Sequence, residues 1–209
     1  MGTFNYTFQL MQASGKTVTS SHDAASYMDL VHRYNDAIGL MKINRLHEAE
    51  ILLRDVLNRQ SHAGFDELAI ALTQNELGRV LRHLGALDEA LELLTKALEV
   101  RDRADEAAGS CIALRDGNLT RNEIAKVYEA MGDCTKALAV REPGKRICSN
   151  EACEAFDYLD GELLACSRCK CVFYCGKTCQ RHDWKTRHKL LCQEVKMEKM
   201  LVWEWDQQV

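Results

Sequence analysis

The distribution of cysteine constrains this chain more than any other feature of its sequence. The chain has 209 residues and ten cysteines, and eight of the ten lie between Cys148 and Cys192. The single proline, Pro143, precedes this segment and is followed by Gly144, a pair that marks a turn and the end of a helix. We therefore expect a domain boundary near residues 142–147, with the cysteine-rich part after it.

The setting of these cysteines favours metal binding over disulfide formation. No apolar run approaches the ~18 residues that a membrane helix needs, and the N-terminus has no signal-peptide pattern. The chain is therefore expected in the cytoplasm, the nucleus or both, where thiols stay reduced. A cysteine cluster in such a compartment predicts a metal site.

Seven cysteines and one histidine form four ordered pairs. Zinc in structural sites takes four sulfur or nitrogen ligands in a tetrahedron, so eight ligands predict two ions and leave no open position for catalysis. The C-x2-C spacing turns two sulfurs toward one point, and residues i and i+4 share one face of a helix. The pairs are Cys148 and Cys153, Cys166 and Cys169, Cys175 and Cys179, and His188 and Cys192.

Two other residues compete for ligand roles. Cys171 could replace Cys169, although the C-x2-C spacing forms the better chelate. His182 could replace His188, but it lies ten residues before Cys192 rather than four. Three thiols remain outside the pairs and are expected to be small buried apolar residues or inert surface thiols. They are Cys111, Cys134 and Cys171.

The cysteine-rich segment resembles a MYND-type zinc finger. The matching features are, in order, Tyr174-Cys175, Cys179-Gln180, Asp183-Trp184 and the pair His188 and Cys192. The resemblance implies a cross-braced arrangement of two zinc ions, in which the first and third pairs hold one ion and the second and fourth pairs hold the other. The implied ligand sets are Cys148, Cys153, Cys175 and Cys179 for the first ion, and Cys166, Cys169, His188 and Cys192 for the second.

The same resemblance implies a protein-interaction module that often takes short proline-containing peptides. By position it assigns Ser167, Gln180 and Trp184 to peptide binding, because an indole ring offers a flat platform for proline. The alternative for Trp184 is packing within the finger. A module of this size has too small a core to fold without metal, so removal of zinc is predicted to unfold residues 148–192 while the helical part survives.

Residues 27–142 repeat one helical pattern about three times. Ala49, Ala90 and Ala137 mark equivalent positions in the three copies. In the middle copy, Gly78 and Ala90 are expected to let two helices approach closely. Turns are predicted between the helices of each copy, near Asn44, at Gly85 and at Gly132.

These copies resemble tetratricopeptide repeats, and three repeats are about the minimum that buries a continuous core. The third copy departs from the pattern, since Arg141 stands where an apolar residue is expected. The resemblance implies a concave groove, lined by the first helix of each pair, that holds an extended peptide and its acidic side chains. The alternative is an ordinary solvated helix face. The implied groove residues are Asn75, Arg79, Arg82, Asn122 and Lys126.

The predicted fold is mainly α: an array of about three helical hairpins, followed by a small cross-braced two-zinc finger and a C-terminal helix. The predicted segments are a flexible N-terminus (1–26), the repeats (27–142), the finger (143–192) and a helical tail (193–209).

The predicted function is a non-enzymatic adaptor for protein or peptide partners, such as those of transcriptional or signalling complexes. The formal net charge of −4 disfavours nucleic acid as a partner, and no membrane association is expected. The alternatives are a lysine methyltransferase of the SET-and-MYND type and a RING-like ubiquitin ligase. The oligomeric state stays open.

Overall fold

The computed structural model describes residues 21–108, 111–142, 146–153 and 163–192. Helices dominate the described residues before Pro143, as predicted, and a small unit with two short strands follows them. The predicted helical tail (193–209) and the first twenty residues of the predicted flexible N-terminus lie outside the described residues.

Six helices form three successive hairpins between residues 21 and 142. Each helix packs against the next one along the chain, and the first helix of each hairpin also contacts the first helix of the next, as in a stacked repeat array. The hairpins are α1 (Ser21–Lys42) with α2 (Leu46–Gln60), α3 (Glu67–Leu84) with α4 (Leu87–Ala108), and α5 (Cys111–Ala130) with α6 (Cys134–Arg141).

The first helix begins earlier than the sequence analysis expected. Residues 21–26, which we assigned to the flexible N-terminus, form the first turns of α1. The physical reason is that Tyr27, Leu30 and Val31 are buried in the core, so the helix that carries them is anchored close to its start.

The same C-terminal cap closes the first helix of every hairpin. Asn44, Gly85 and Gly132 have φ angles of 59°, 84° and 81°, the left-handed conformation that ends many helices. In each turn the amide after this residue donates to a carbonyl five residues back, at 2.9, 2.9 and 2.8 Å. The predicted turns near Asn44, at Gly85 and at Gly132 are therefore confirmed, and all three hairpins share this cap.

A close helix crossing holds the middle hairpin together. A Cβ atom added at Gly78 would lie 2.6 Å from Cγ of Leu94 and 3.3 Å from the carbonyl oxygen of Ala90. The prediction that Gly78 permits a close approach is therefore confirmed. At Gly39, on α1, an added Cβ would meet nothing within 4 Å.

These two glycines predict opposite effects of the same substitution. Gly39→Ala is expected to raise the free energy of unfolding by about 0.5–1 kcal/mol, because alanine favours a helix. Gly78→Ala is expected to lower it by about 1–2 kcal/mol, since overpacking exceeds the gain in helix propensity. Urea unfolding of both variants measures the difference, and a stabilised Gly78→Ala variant would contradict the close packing of α3 against α4.

The main hydrophobic core runs through the first two hairpins and reaches α5. Tyr27 stacks on Phe65 with ring centroids 4.5 Å apart, and Tyr34 is fully buried. From α5, only Ile124 and Val127 are fully buried in this core among the described side chains. The third hairpin therefore depends on another partner for the rest of its apolar surface.

The unit after Pro143 is built around a two-stranded antiparallel sheet. Strand β1 (Leu164–Ala165) pairs with β2 (Phe173–Tyr174). A helical segment follows, made of α7 (Lys177–Asp183), a π-helical turn (Trp184–His188) and α8 (Lys189–Leu191). Among the described helices of the chain, none combines the length and the apolar character needed to cross a bilayer.

Candidate metal centre

A tight turn between the two strands positions the second ligand pair. Lys170 has a φ angle of 58°, and its amide donates to the carbonyl of Cys166 at 3.0 Å. The amide of Cys166 donates in turn to the carbonyl of Val172 at 2.8 Å. These bonds fold the chain back on itself, so that Cys166 and Cys169 point toward the same side of the turn.

Among the described residues, two clusters offer four ligands each, and they are the two predicted sets; a third group, Cys134, Cys169 and Cys171, offers only three and shares Cys169 with the second. In each cluster the ligand atoms all lie within 4.8 Å of one another. The first cluster joins the segment before the sheet to the start of α7, and the second joins the turn between the strands to the end of the helical segment. The clusters are Cys148, Cys153, Cys175 and Cys179, and Cys166, Cys169, His188 and Cys192.

The spacing within each cluster fits tetrahedral zinc. Ligands at about 2.3 Å (sulfur) and about 2.0 Å (nitrogen) from zinc lie about 3.8 Å apart for two sulfurs and about 3.5 Å for sulfur and nitrogen. The Sγ atom of Cys175 is 3.7 Å from that of Cys153 and 3.5 Å from that of Cys179. In the second cluster, Cys169 Sγ lies 3.5 Å from Nε2 of His188. Both clusters therefore suit a zinc ion with four protein ligands.

Hydrogen bonding separates Cys169 from its competitor Cys171. The hydrogen bond from Cys171 and the contact with His188 lower the pKa of Cys169 to about 3, although burial opposes this. The pKa of Cys171 is strongly raised, because its proton is shared with Cys169 and the thiol is buried. The assignment rests on geometry: Cys169 belongs to a cluster of four ligand atoms with Cys166, His188 and Cys192, whereas Cys171 groups only with Cys134 and Cys169.

The ring of His188 is held by packing. It is almost fully buried, and it meets the rings of Trp184 and Tyr174 edge-on, with centroids 5.8 and 6.4 Å away. Its Nδ1 atom has no hydrogen-bond partner among the described residues. His182 is instead exposed, and its Nδ1 atom lies 3.0 Å from Oδ1 of Asn150. His188 therefore belongs to the second ligand cluster, and His182 lies outside it.

The finger contacts the helical array through a carboxylate in its first ligand loop. Glu151, between Cys148 and Cys153, accepts a hydrogen bond from Arg82 at 2.6 Å and lies 3.5 Å from Nζ of Lys126. Burial favours the protonated acid, but the hydrogen bond from His83 and the charges of Lys126 and Arg82 hold the pKa of Glu151 well below its usual range. A charged side chain of the finger therefore lies among cations of α3 and α5.

Arg141 is the polar centre of this interface. It is 3% exposed, and its guanidinium donates to Oδ1 of Asn122 at 3.0 and 3.2 Å and to Glu129 at 2.6 Å. It also donates to the backbone carbonyl of Cys171 at 2.5 Å, inside the finger. The departure of Arg141 from the repeat pattern therefore has a structural reason, because this side chain joins α5, α6 and the finger.

A second arginine, which is partly buried, approaches the same carboxylate from the finger. Arg187 donates to Glu129 at 2.5 Å and to Asp183 at 2.9 Å. The hydroxyl of Tyr174 donates to Oδ2 of Asp183 at 2.8 Å, an oxygen that also accepts from Arg187. Burial would raise the pKa of Glu129, but the charges of Arg141 and Arg187 lower it overall. Glu129 therefore stays ionised between two arginines, one from each part of the chain.

An apolar cluster surrounds these polar contacts. From the third hairpin it contains Ala125, Cys134 and Ala137, which are all buried. From the finger it contains buried residues of the sheet and of the second ligand cluster, namely Cys166, Cys169, Cys171, Val172 and Tyr174. The third hairpin and the second metal site thus share one core. Sequence reasoning missed this interface, and the charged residue at an apolar repeat position, Arg141, was the signal for it.

The predicted groove residues lie on this face, and the structure corrects their role. Asn75, Arg82, Asn122 and Lys126 are buried and bond to other residues of the chain, while Arg79 is partly exposed and pairs with Glu76. Asn75 accepts hydrogen bonds from Arg101 and Thr120. Arg82 and Lys126 do hold a carboxylate, as expected, but it belongs to the finger. These contacts leave little free surface at the five residues, and peptide binding there stays a prediction.

The predicted peptide-binding residues of the finger remain at the surface. Ser167 is exposed in the turn between Cys166 and Cys169, and Gln180 and Trp184 are half-buried on the helical segment. The ring of Trp184 packs against His188 in an edge-to-face arrangement, so part of the side chain has a structural role. The rest of the side chain remains exposed to solvent. The structure contains no peptide, and peptide binding at these three residues stays a prediction.

Comparison with known families agrees with both parts of this architecture. The model of the MYND finger family matches residues 148–192, from the first predicted zinc ligand to the last. The model of a tetratricopeptide repeat family matches residues 70–104, which are most of the middle hairpin. The chain therefore carries a MYND finger, a zinc-binding domain, behind a tetratricopeptide repeat. No solved structure matches the chain.

Similar curated proteins share only short stretches with this chain. An F-box protein of Arabidopsis thaliana is 42% identical over 52 residues, which are 25% of this chain and 14% of that protein. Egl nine homolog 1 of Homo sapiens is 64% identical over 31 residues, 15% of this chain and 7% of that protein. Ubiquitin carboxyl-terminal hydrolase 19 of Arabidopsis thaliana is 63% identical over 27 residues, 13% of this chain and 4% of that protein. The chain thus spans far less than two thirds of these relatives.

Proposed function

We propose that this chain, in which a MYND finger is joined to a repeat array, is a non-enzymatic adaptor. Its finger recognises peptide segments of partner proteins. Both kinds of module are interaction modules. The observation that carries the proposal is the interface between them. Because the array binds its own finger through Arg82, Lys126 and Arg141, it acts as a base that fixes the orientation of the finger.

The exposed parts of three finger residues form the proposed recognition surface. Ser167, Gln180 and Trp184 keep exposed area, while other residues of the finger, such as Val172 and Tyr174, are buried in the core shared with the third hairpin. The ring of Trp184 is steadied by its edge contact with His188, which lowers the entropy cost of binding a partner. A fixed, half-exposed indole suits a proline-containing peptide.

The closed ligand sets support a structural role for both zinc ions. Each cluster offers four protein ligands, and catalytic zinc needs a position open to water or substrate. We propose that the adaptor works in a reducing compartment, the cytoplasm or the nucleus, because its ligand thiols must stay reduced. Methyl transfer from S-adenosylmethionine by the purified chain would contradict the non-enzymatic part of the proposal.

Substitution of Trp184 tests the recognition surface. In the zinc-loaded full chain, Trp184→Ala is expected to weaken binding of a proline-containing peptide at least about tenfold, as loss of a central aromatic anchor does. Ile51→Ala, which removes an apolar side chain that is 67% exposed on the array, is the matched control and should leave affinity unchanged. Calorimetric titration gives both affinities. Equal affinity of the Trp184→Ala variant and the wild type, at equal zinc content, would contradict the proposal.

A further inference from the structure

Four cations follow one side of the finger's helical segment. Lys177, Arg181, Lys185 and Lys189 are spaced four residues apart, and all four are exposed. Residues four apart lie on one face of a helix, and the intervening π-helical turn, with its larger number of residues per turn, offsets the drift of a regular helix. We call these four residues the cationic face.

The cationic face differs from the other charged surfaces of the chain. Arginines of the array such as Arg54, Arg59 and Arg121 each pair with carboxylates. Within the part of the chain that the structure describes, no member of the cationic face forms an ion pair, and Arg181 donates only to the backbone carbonyl of Lys177. This face therefore carries positive charge that the described residues do not neutralise.

The composition of residues 163–192 explains why the cationic face has no ion-pair partner in this part of the chain. Asp183 is the only carboxylate between residues 163 and 192. It is 1% exposed, and its oxygens are taken by Tyr174 and Arg187. The helical segment thus offers a solvent-facing surface with several cations and no acid.

An exposed apolar side chain adjoins the cationic face along the chain. Leu190 is 90% exposed, the largest exposed fraction among the described large hydrophobic residues. It follows Lys189 directly and comes five residues after Lys185. An exposed leucine flanked by cations is complementary to an apolar side chain flanked by carboxylates.

We propose that the cationic face docks an acidic peptide segment of a partner protein, in which carboxylates flank an apolar residue. This inference rests on the proposed function, because it names the chemistry of the partner. A peptide fits better than nucleic acid because the phosphate backbone offers nothing apolar to the exposed side chain of Leu190.

The proposal is tested with two synthetic peptides and the zinc-loaded full chain. In one peptide Glu alternates with Leu and Pro, and in the other Gln replaces every Glu. The Glu peptide should bind more tightly, and its advantage should shrink between about 0.1 M and about 1 M salt, as the screening length falls. A single-stranded oligonucleotide serves as the polyanion without apolar side chains.

A charge-matched pair of variants locates the binding surface. Arg181→Gln combined with Lys185→Gln should weaken the Glu peptide about 2- to 30-fold, the range for two exposed ion pairs. Lys96→Gln combined with Arg103→Gln changes the net charge equally at two exposed positions of α4 and should leave the affinity unchanged. Equal losses in the two variants would overturn the proposal.

The other outcomes are equally decisive. Equal binding of both peptides, lost on Trp184→Ala, would overturn the cationic face and support the proposed function. Failure of both peptides to bind would count against both. Binding of the oligonucleotide but not of the Glu peptide would overturn the peptide assignment. If the Glu peptide binds only after the four carboxylates of residues 154–162 are replaced by amides, the chain's own acidic segment is the occupant, and the proposal is wrong.

Discussion

Chelation of zinc is expected to unfold the finger and to loosen the third hairpin, while α1 to α4 stay folded. Structural zinc contributes about 10–16 kcal/mol to the folding of small fingers at neutral pH. The sheet of this finger has only two residues in each strand, and many of its buried side chains are metal ligands. Without the metal, therefore, the finger has too small a core to keep its fold.

The effect should spread to the third hairpin because of the shared core. Ala125 and Ala137 pack against Cys166, Cys169 and Tyr174, and these contacts depend on the second zinc site. The first two hairpins have their own core, which contains no metal ligand. Loss of the finger should therefore destabilise α5 and α6 selectively, a finer result than the survival of the whole helical part that the sequence predicts.

Hydrogen exchange measured with and without a chelator tests this prediction. Amides of residues 146–153 and 163–192 should lose nearly all protection, those of 111–142 should lose part of it, and those of 21–108 should change little. Unchanged protection in residues 111–142 would show that the interface contributes nothing to the array. A uniform loss from residue 21 onward would show instead that the chain is one cooperative unit.

A pair of histidine variants tests the same site without a chelator. His188→Ala is expected to lower the zinc content from two ions to one per chain, since it removes a ligand of the second cluster. His182→Ala should keep both ions, because its ring contacts Asn150 rather than a cluster. Metal analysis of the purified variants gives the content, and loss of an ion in His182→Ala would contradict the ligand assignment.

Replacement of Arg141 by methionine is expected to lower the free energy of unfolding of the zinc-loaded chain by about 3–5 kcal/mol, the cost of breaking a buried ion pair by removing one partner. Methionine keeps much of the volume but donates no hydrogen bond. Glu129 then keeps only Arg187 as a cation, and Asn122 and the carbonyl of Cys171 lose their donor.

An exposed arginine provides the control for this substitution. Arg103 pairs with Glu67 at 3.0 Å, but the two side chains are 67% and 76% exposed. Arg103→Met should therefore cost no more than about 1 kcal/mol. Urea unfolding with zinc bound compares the two variants. Similar losses for Arg141→Met and Arg103→Met would mean that the buried contacts of Arg141 do not hold the two parts together.

The eight ligands could be predicted because metal geometry restricts both residue type and spacing. The resemblance to a MYND finger implied how the four pairs divide into two sets, and the structure assembles that arrangement. The hairpin turns could be predicted for a similar reason, since a left-handed cap requires a residue such as Gly85 or Asn44. In both cases a local pattern determines the structure.

The interface between the array and the finger could not be predicted in this way. The interface residues Glu129, Arg187 and Glu151 lie in segments that contain many other charged residues. In the sequence, a charged residue that will be buried cannot be told from one that will be solvated. The sequence does indicate that Arg82 and Lys126 favour a carboxylate as their partner. Their partner in the finger, Glu151, lies 69 residues beyond Arg82, and no periodicity connects positions so far apart.

The core shared by α5, α6 and the second zinc site has a consequence for how such proteins are cut and recombined. A fragment that ends at residue 142 would expose the apolar surface of Ala125 and Ala137 and leave Arg141 without its acceptor in the finger. We expect such a fragment to aggregate. We therefore expect that the boundary near Pro143 is not a border between folding units, and that an exchange of genetic segments would have to carry the last hairpin and the finger together.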